Sequence, residues 1–514
     1  MKYFLTLIQL WVGFLSICAS YPKANIWIIP SVESPQVYRN YAQTSKVHLE
    51  MARGEVEHIQ LVFPSKVNEE YRFTFDRYLK GIQISARELK KMNGYYDALV
   101  PFKNQLKCTD TLTAVWITVQ CPSRVPVGKY HQTIKIEGSK HFTIQLDYNV
   151  HHTTIPLKSS IPITVGVENR CMTEGLNDKE ADKERQRWVD FVLSYRMTPV
   201  FGTQITPERW QYEHSFSPWA WNDKRSIRLL NDRRYSCYML PFFTLSENEL
   251  ASLLCNIQKK GKLKESLFYM WDEPAYMEDY EQIKRKVNII RKYASDARIL
   301  TTFFCGPRNG PRKGDLYAVF DYLKHHIHVA TISLAPCKGN EEEVQHIRYK
   351  VPEGIDWWSY VCWQPGGNEP NFLLQMKGIQ QRAIMWRTWK NGSQGFLYWN
   401  CNIYHKRNPF TYITDMPHGD GILIYPGDIL GCKGPIASAR LERWRDGAEE
   451  MELLRLVEKN YSKEKADTLL NIVYSSPLSF IEKAHNIPFF RKELLDQLDK
   501  TIPIDYKLRI TDFI

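Results

Sequence analysis

The segment SLFYMWDEP, residues 266–274, is an apolar run that ends in two adjacent carboxylates, Asp272 and Glu273. The run from Leu267 to Trp271 is typical of a buried strand, and the proline after the two acids stops it before a helix-like segment. In a (β/α)8 barrel, catalytic groups stand at the C-terminal ends of the strands. The pair therefore marks a candidate acid/base site, with capping of the next helix as the alternative interpretation.

The segment belongs to a longer alternation of strands and helices that begins after Pro156. Eight candidate strands lie at 161–167, 198–202, 238–243, 266–271, 298–304, 328–334, 356–363 and 395–400. Helices are predicted at 179–195, 247–259, 276–293, 371–389 and 437–457, whereas the stretch 206–234 is irregular. This alternation favours a closed parallel barrel over an open sheet. We therefore predict an α/β fold with a (β/α)8 TIM barrel at residues 156–459.

Residues 21–155 follow a different pattern, in which short β-rich runs are separated by turn residues. Six such runs are ANIWIIP, HIQLVF, YRFTF, TAVWITVQ, YHQTIKIEG and HFTIQLDYNV. Their spacing predicts an all-β sandwich domain before the barrel, in which a helix-like stretch lies at 86–91. Residues 460–514 are predicted to form a helical tail that packs on the barrel.

The first twenty residues are typical of a secretory signal peptide. Lys2 supplies a positive charge, an apolar stretch covers 4–17, and Cys18-Ala19-Ser20 resembles a cleavage site. The apolar stretch is short for a membrane helix, and no later one approaches about 20 residues, so we expect no membrane span. The mature chain would be secreted or periplasmic. Lipid anchoring at Cys18 is a weaker alternative, because the bulky Ile17 precedes it.

Charge and motif content argue against several classes of partner. Lys and Arg number 68 against 57 Asp and Glu, but the basic residues are scattered, so nucleic-acid binding is not indicated. His151-His152 and His325-His326 are adjacent pairs rather than i, i+4 pairs that aim two ligands at one ion, and no CxxC pair exists. No Gly-rich phosphate loop precedes a suitable helix. We therefore expect neither a metal nor another cofactor.

Ten of the 11 cysteines follow the predicted signal peptide. Export permits disulfides, and Cys108 and Cys121, which flank the strand-like segment TAVWITVQ, are the best local candidates for a pair. Cysteines within or beside apolar runs, such as Cys237, Cys305, Cys362 and Cys401, are expected to be buried free thiols.

Aromatic and amide side chains collect at the predicted ends of strands seven and eight. They include Tyr360, Trp363, Tyr398, Trp399, Asn400, Asn402 and Tyr404, and the following loop carries Asp415, His418 and Asp420. Aromatic rings cover the apolar C–H faces of a sugar, while polar groups bind its hydroxyls. We therefore predict substrate binding by Tyr360, Trp363, Trp399 and Tyr404, with core packing as the alternative for any single ring.

The adjacency of Asp272 and Glu273 constrains the chemistry. A retaining glycosidase with an enzyme nucleophile needs two carboxyl groups on opposite sides of the scissile bond, roughly 5 Å apart. Neighbours on one strand end cannot easily bracket a sugar in this way. One can protonate the glycosidic oxygen while the other holds a substrate group that acts as nucleophile, such as the 2-acetamido group of an N-acetylhexosamine.

Several blocks of the chain resemble glycoside hydrolase family 123 and the uncharacterised domain families that share its C-terminal region. MARGEVEHIQLVF and VWITVQCPSRVPVGKY are similar to its N-terminal domain, YMWDEP to its catalytic strand, and GFLYWNCNIY, GDGILIYPG and SARLERWRDGAEEMELL to its C-terminal barrel region. Known members are N-acetyl-β-galactosaminidases that use substrate assistance. The resemblance implies that Glu273 is the general acid/base and that Asp272 orients the acetamido group as an oxazoline-like intermediate forms.

The favoured hypothesis is an exported glycoside hydrolase that releases N-acetyl-β-galactosamine from glycolipid or glycoprotein glycans. One alternative is a glycosidase for another hexosamine or for a sulfated glycan, which the positive net charge mildly favours. The other is a non-catalytic protein whose N-terminal domain binds glycans. An N-acetylhexosamine thiazoline separates the first two, because it blocks only acetamido-assisted catalysis.

Overall fold

The computed structural model describes residues 26–76, 81–206, 211–404, 408–409 and 419–501. The predicted signal peptide at 1–20, the loop residues Asp415 and His418, and residues 502–514 of the predicted tail lie outside these ranges. Within the described part of the chain, no helix is both long and apolar enough to cross a membrane.

The described part of the N-terminal region, residues 26–76 and 81–155, forms ten strands in two sheets. The strands are β1 (Trp27–Pro30), β2 (Lys46–Arg53), β3 (Glu55–Pro64), β4 (Glu70–Phe75), β5 (Gln83–Met92), β6 (Tyr95–Pro101), β7 (Gln105–Lys107), β8 (Leu112–Cys121), β9 (Gly128–Glu137) and β10 (His141–Thr154). The sheet orders are β1-β3-β8-β5-β6 and β2-β10-β9-β4-β7. Apolar side chains of both sheets, among them Leu61, Ile117, Ile134 and Leu146, share one buried core.

Residues 86–91, predicted as helix-like, lie instead within β5. Their Arg, Glu and Lys side chains favour a helix in isolation. However, β5 is hydrogen-bonded to β8 on one edge and to β6 on the other, and Ala86 and Leu89 are buried. Sheet pairing and burial outweigh the local preference, so the expectation of a helix here was wrong.

Cys108 and Cys121 do not form the predicted disulfide, and both are buried free thiols. Cys121 ends β8, and burial raises the pKa of its thiol to about 12. Cys237, Cys362 and Cys401 are buried free thiols, as predicted, but the expectation of burial was wrong for Cys305, which is exposed because it lies beyond the end of the strand Arg298–Phe303. The buried cysteines therefore act as small apolar side chains of the cores rather than as cross-links.

Nine strands form a second, larger sheet. They are β11 (Ile163–Glu168), β12 (Thr198–Thr206), β13 (Gln211–Ser215), β14 (Tyr238–Met239), β15 (Ser266–Trp271), β16 (Arg298–Phe303), β17 (Val329–Ser333), β18 (Asp356–Val361) and β19 (Phe396–Tyr398). Their order is β13-β12-β11-β19-β18-β17-β16-β15-β14. The backbone N–H of Phe216 donates to the carbonyl of Met239 at 2.7 Å across the remaining gap, so the sheet is a nearly closed barrel.

The eight strands predicted from the sequence are all present, but the barrel has nine strands rather than eight. The additional strand is β13, which lies in the stretch 206–234 that shows no regular pattern in the sequence. It pairs antiparallel with β12, whereas the other neighbouring strands are parallel. It therefore occupies the place where a (β/α)8 barrel would join its second and third strands.

Helices follow most of the barrel strands. They are α1 (Asn169–Thr173), α2 (Asp178–Ser194), α3 (Lys224–Leu229), α4 (Glu247–Lys259), α5 (Met277–Tyr293), α6 (Ala318–Leu323), α7 (Glu341–Lys350), α8 (Gly378–Lys390), α9 (Ala439–Asn460), α10 (Lys463–Leu470) and α11 (Ile487–Asp499). A hairpin of β20 (Ile424–Pro426) and β21 (Pro435–Ala437) precedes α9. Helices α10 and α11, in the predicted tail, pack against α9.

Helix α9 joins the N-terminal region to the barrel through buried charges. His58 of β3 contacts Asp446 at 2.8 Å and Glu442 at 3.1 Å, and Arg440 pairs with Asp97 of β6 at 2.9 Å. All five side chains are buried. Since removal of one partner would leave an uncompensated charge away from water, these pairs hold the two regions in one relative position.

Candidate active site

Asp272 and Glu273 directly follow β15, at the C-terminal edge of the barrel. Side chains of a strand alternate between its two faces, so Tyr269 and Asp272 would ordinarily point to opposite sides. The register of β15 against β16 shifts by one residue between Tyr269 and Trp271. This irregularity brings the side chains of Tyr269 and Asp272 into the same pocket.

Two hydroxyl groups hold the carboxylate of Asp272. Tyr269 and Thr302 each donate to its Oδ1 at 2.8 Å. Thr302 belongs to β16, the parallel neighbour of β15, and the two hydroxyl oxygens are 3.0 Å apart. Donors on adjacent strands therefore restrict the orientation of a carboxylate that is otherwise open to solvent.

Glu273 has a left-handed backbone, with φ of +47°. For a residue other than glycine this conformation costs about 1–2 kcal/mol, and such strain clusters at functional sites. Its backbone N–H donates to Oγ1 of Thr302 at 3.1 Å, and its Oε1 accepts a hydrogen bond from the hydroxyl of Tyr360 on β18. The strained turn thus directs the Glu273 carboxyl towards a donor on a different strand.

The environment of Glu273 raises its pKa towards neutral pH. Desolvation by the surrounding strand ends, followed by the charge of Asp272, raises the pKa of Glu273 to about 7, although its side chain keeps contact with solvent. The hydrogen bond from Tyr360 and the charge of Arg308 act in the opposite direction. Burial and the neighbouring Glu273 also raise the pKa of Tyr360 well above its usual value, so Tyr360 is a neutral donor. A carboxyl with a pKa near 7 can release and regain a proton under physiological conditions.

His214 of β13 packs on the ring of Tyr269, with centroids 4.2 Å apart and an interplanar angle of 16°. Burial lowers the pKa of His214 to about 3, so the imidazole is uncharged at neutral pH. It therefore supports Tyr269 as a flat neutral ring and does not add a positive charge beside Asp272.

Trp399 lies beside this pocket, just after β19, and its indole is anchored by Asp420. Its Nε1 donates to Oδ1 of Asp420 at 3.0 Å, and the hydroxyl of Tyr398 donates to the same oxygen at 3.1 Å. A Cβ at Gly421 would come within 2.5 Å of the indole ring, so the glycine leaves the space that Trp399 occupies. Burial raises the pKa of Asp420 to about 6.

The pocket combines apolar rings with polar groups. It is lined by Tyr212, His214, Tyr269, Asp272, Trp399 and Asn400, together with small side chains of β11 and β12. Rings that can cover C–H faces stand beside a carboxylate and an amide that can bind hydroxyls. This combination suits a sugar.

The four predicted substrate-binding residues occupy different environments. Tyr360 and Trp399 stand at the carboxylate pair and the pocket, as described above. Trp363 is 43 % exposed and stacks on Phe304, with centroids 6.5 Å apart. Tyr404 has no exposed surface and packs in a cluster with Ile403, Ile422 and Ile436. For Tyr404, core packing thus replaces the predicted sugar contact, because no ligand can reach its ring.

Three further residues of the site were not identified from the sequence: His214, Tyr269 and Thr302. Tyr269 lies within β15, but the sequence gives no signal of its role, because its position relative to Asp272 depends on the register shift. Thr302 is one of several hydroxyl-bearing residues in apolar runs. Among the described residues, no group of three or more His, Cys, Asp or Glu side chains is arranged to hold a metal ion.

Comparisons with known proteins identify the family of the chain and its fold. The model of the glycoside hydrolase 123 catalytic domain matches residues 183–457. The solved structure of a family 123 glycoside hydrolase from Clostridium perfringens, from work on glycolipid glycan hydrolysis, has a TM-score of 0.63 and 13% sequence identity, and the match covers 95% of this chain and 100% of that one. An FMN-binding β-glucuronidase from Facaelibacterium prausnitzii L2-6 has a TM-score of 0.31 and 9% identity over 79% of this chain and 59% of that one.

No curated protein sequence matches the chain. The family model nevertheless covers more than half of the 514 residues and includes the barrel strands that carry Asp272, Glu273, Thr302 and Tyr360. Family membership also implies the reaction class, which is hydrolysis of a glycosidic bond in a glycan. The chain belongs to glycoside hydrolase family 123.

Proposed function

We propose that this glycoside hydrolase releases N-acetyl-β-galactosamine from glycans by substrate-assisted, retaining catalysis. The observation that carries the proposal is the pair Asp272 and Glu273 on one strand end, in which Glu273 has a pKa raised to about 7. In this proposal Glu273 is the general acid/base and Asp272 orients the substrate acetamido group.

The first step begins with Glu273 protonated. It donates its proton to the glycosidic oxygen as the bond to C1 breaks, and the acetamido oxygen of the same sugar attacks C1 from the opposite side. Asp272 accepts a hydrogen bond from the acetamido N–H and stabilises the positive charge that develops on that group. The products of this step are the released aglycone and an oxazoline-like intermediate.

The second step reverses the proton transfer. Glu273, now ionised, removes a proton from a water molecule as that water attacks C1 and opens the oxazoline ring. The sugar is released with its original anomeric configuration, and Glu273 is protonated again. A carboxyl with a pKa near 7 suits both roles, because neither form is strongly disfavoured at neutral pH.

Contacts with the rest of the sugar are assigned by position. We propose that Trp399 covers an apolar sugar face, that Tyr360 places the Glu273 carboxyl, and that the exposed Trp363 contacts the next sugar. The Clostridium perfringens relative was described in work on glycolipid glycans, which supports glycolipid or glycoprotein glycans as the substrate class. We further propose that residues 1–20 direct export and that a β-sandwich at 21–155 precedes a barrel of (β/α)8 type.

Hydrolysis of 4-nitrophenyl N-acetyl-β-galactosaminide and of its gluco epimer tests the proposal. We expect the galacto substrate to be cleaved. Because 4-nitrophenolate leaves with little help from an acid, Glu273→Gln is compared on a β-linked disaccharide, for which we expect kcat/KM to fall by about 100- to 10,000-fold, the range of general acid–base catalysis. Glu281→Gln is the matched control, because Glu281 lies on α5, is exposed and pairs only with Lys284 among the contacts described for it.

Two results would count against this proposal. Cleavage of the disaccharide that persists at the parent rate in Glu273→Gln would remove the assigned acid. Cleavage that a galacto-configured thiazoline fails to inhibit would exclude acetamido assistance, since this inhibitor resembles the oxazoline intermediate. Inhibition by the gluco-configured thiazoline alone would instead assign the enzyme to a different hexosamine.

A further inference from the structure

A second groove lies where the N-terminal region meets α8, α9 and the segment before α11. Its volume is about 660 Å³, within the roughly 300–1,000 Å³ that is typical of ligand pockets. The walls come from residues 32–41, 95–97, 374–381 and 481–485, with Arg443 of α9 between them. None of these residues lines the candidate active site.

The buried guanidinium of Arg443 contacts neutral oxygens in this groove. Its Nε donates to the carbonyl of Ser31 at 2.7 Å and its Nη1 to Oε1 of Gln381 at 2.8 Å. Arg440, one turn earlier, is neutralised by Asp97, whereas the described residues place no carboxylate at ion-pair distance from Arg443. Burial accordingly lowers the pKa of Arg443 to about 10. Such a donor favours a ligand that supplies oxygen acceptors.

The position of Arg443 depends on a glycine of the neighbouring helix. A Cβ at Gly378, the first residue of α8, would lie 2.6 Å from Nε of Arg443 and 2.4 Å from the carbonyl oxygen of Val32. Because any larger residue would collide with both groups, Gly378 leaves the space through which the guanidinium reaches the groove. Two helices therefore contribute specific residue types to this wall.

Aromatic rings and an acceptor complete the groove. Tyr95 is 42 % exposed at its rim, and Tyr41 lines its wall. Burial and the neighbouring Glu33 raise the pKa of Tyr41 to about 12, so the Tyr41 hydroxyl stays protonated and can donate to that carboxylate. Glu33 in turn offers further acceptor sites to a ligand.

Opposite charges balance around this groove. Lys377 lies 3.6 Å from Glu482 on the exposed rim, and the charge of Asp97 is taken by Arg440. The remaining positive charge of Arg443 is matched by the carboxylate of Glu33, whose backbone carbonyl accepts a hydrogen bond from Nη2 of Arg443 at 3.4 Å. The groove therefore offers donors, acceptors and ring faces without a net charge. That combination matches an uncharged sugar chain, because its hydroxyls can both donate and accept hydrogen bonds and its C–H faces are apolar.

We propose that this groove is a second carbohydrate-binding site that holds a neutral oligosaccharide segment apart from the catalytic carboxylates. Arg443 donates to sugar oxygens, Glu33 accepts from sugar hydroxyls, and Tyr95 and Tyr41 cover C–H faces. The assignment uses only the fact that the enzyme acts on glycans, and it is independent of which sugar is released. A glycan anchored here would stay near the enzyme between successive cleavages.

Photo-cross-linking of the full chain tests this assignment. The probe is a neutral N-acetyllactosamine hexasaccharide with a diazirine at its reducing end, and Glu273→Gln prevents its consumption. We expect saturable labelling of peptides that contain 32–41 or 95–97. Tyr95→Ala changes an exposed rim residue. Because a ring contact is lost, it should raise the probe concentration at half-saturation about fivefold. Tyr349→Ala is the matched control, because this tyrosine is 84 % exposed outside the groove.

Each other result overturns the assignment. Absence of saturable labelling in these peptides at millimolar probe would exclude carbohydrate binding in the groove. Equal labelling in Tyr95→Ala and in the parent would show that the rings take no part. Stronger labelling by the 6-O-sulfated hexasaccharide would replace the neutral ligand with an acidic one. A failure of the proposed function is seen separately, as absent hydrolysis of the aryl glycoside, which Tyr95→Ala alone should leave unchanged.

Discussion

The hydroxyl of Thr302 donates to Oδ1 of Asp272 at 2.8 Å and also accepts a hydrogen bond from the backbone N–H of Glu273 at 3.1 Å. One side chain of β16 therefore contacts both members of the carboxylate pair that ends β15. Thr302 is 1 % exposed, so packing fixes its position. We infer that Thr302 positions the two proposed catalytic residues rather than contacting the substrate.

Replacement of Thr302 by Val removes both hydrogen bonds while keeping the shape of the side chain. We expect kcat to fall by up to about 100-fold with little change in KM, because small misplacements of a catalytic group affect the transition state more than substrate binding. Thr302→Ser retains the hydroxyl and should restore most of kcat. An unchanged kcat in Thr302→Val would rule out the positioning role.

The raised pKa of Glu273 predicts the alkaline limb of the pH profile. A general acid must be protonated, so kcat/KM should fall as the pH rises through about 7, the pKa of Glu273. Tyr360 donates to the ionised form and so lowers this pKa. Tyr360→Phe should therefore move the alkaline limb to higher pH, which a pH series of kcat/KM for the parent and the variant measures. A limb that stays in place would contradict the contact between Tyr360 and Glu273.

Gly421 controls the position of the Trp399 indole. Its φ is +68°, and an added Cβ would lie 2.5 Å from both the indole ring and Cγ2 of Ile403, so Gly421→Ala must displace these two side chains or strain the backbone. We expect KM for the aryl substrate to rise about fivefold to tenfold, as for loss of an aromatic contact of roughly 1 kcal/mol, with a smaller change in kcat. Gly431→Ala, also at positive φ but with open space around it, is the control for backbone strain. Equal kinetics in the two variants would argue against a substrate role for Trp399.

Because Asp97 and Arg440 form a buried ion pair, we predict that loss of the Asp97 charge strongly lowers the stability of the fold. Asp97→Asn removes the charge that neutralises Arg440 and weakens the 2.5 Å contact with the Tyr425 hydroxyl. We expect the free energy of unfolding to fall by about 3–5 kcal/mol, the usual cost of leaving a buried charge unpaired. Urea unfolding followed by tryptophan fluorescence measures this change.

A surface pair of the same chemistry provides the control for Asp97→Asn. Asp110 pairs with Lys91 at 2.7 Å, but both side chains are at least 40 % exposed. Water and salt screen this pair, so Asp110→Asn should cost less than about 1 kcal/mol. Similar losses in the two variants would mean that Asp97 does not carry the connection between β6 and α9.

The residues of β15 and the two acids after it could be recognised without a structure, because the sequence signals for them are local. An apolar run that ends in two carboxylates and a proline predicts a strand end with acids at its edge, and the alternation around it predicts a barrel. Burial of apolar residues follows directly from composition and spacing. The same locality explains why residues 86–91 were misassigned: the strands that pair with β5 lie elsewhere in the chain.

The family, the eight predicted barrel strands and the pair Asp272 and Glu273 follow from local signals in the amino-acid sequence. The surroundings of this pair depend on the fold. They are the shifted register that turns Tyr269 towards Asp272, the hydroxyl of Thr302, the ring of His214 and the contact of Tyr360 with Glu273. Contacts across a barrel join residues that are far apart in the chain, and a shift of one residue reverses the face of a side chain. Whether a segment forms a strand thus depends mainly on its own residues, whereas the pKa of Glu273 depends on groups that only folding brings together.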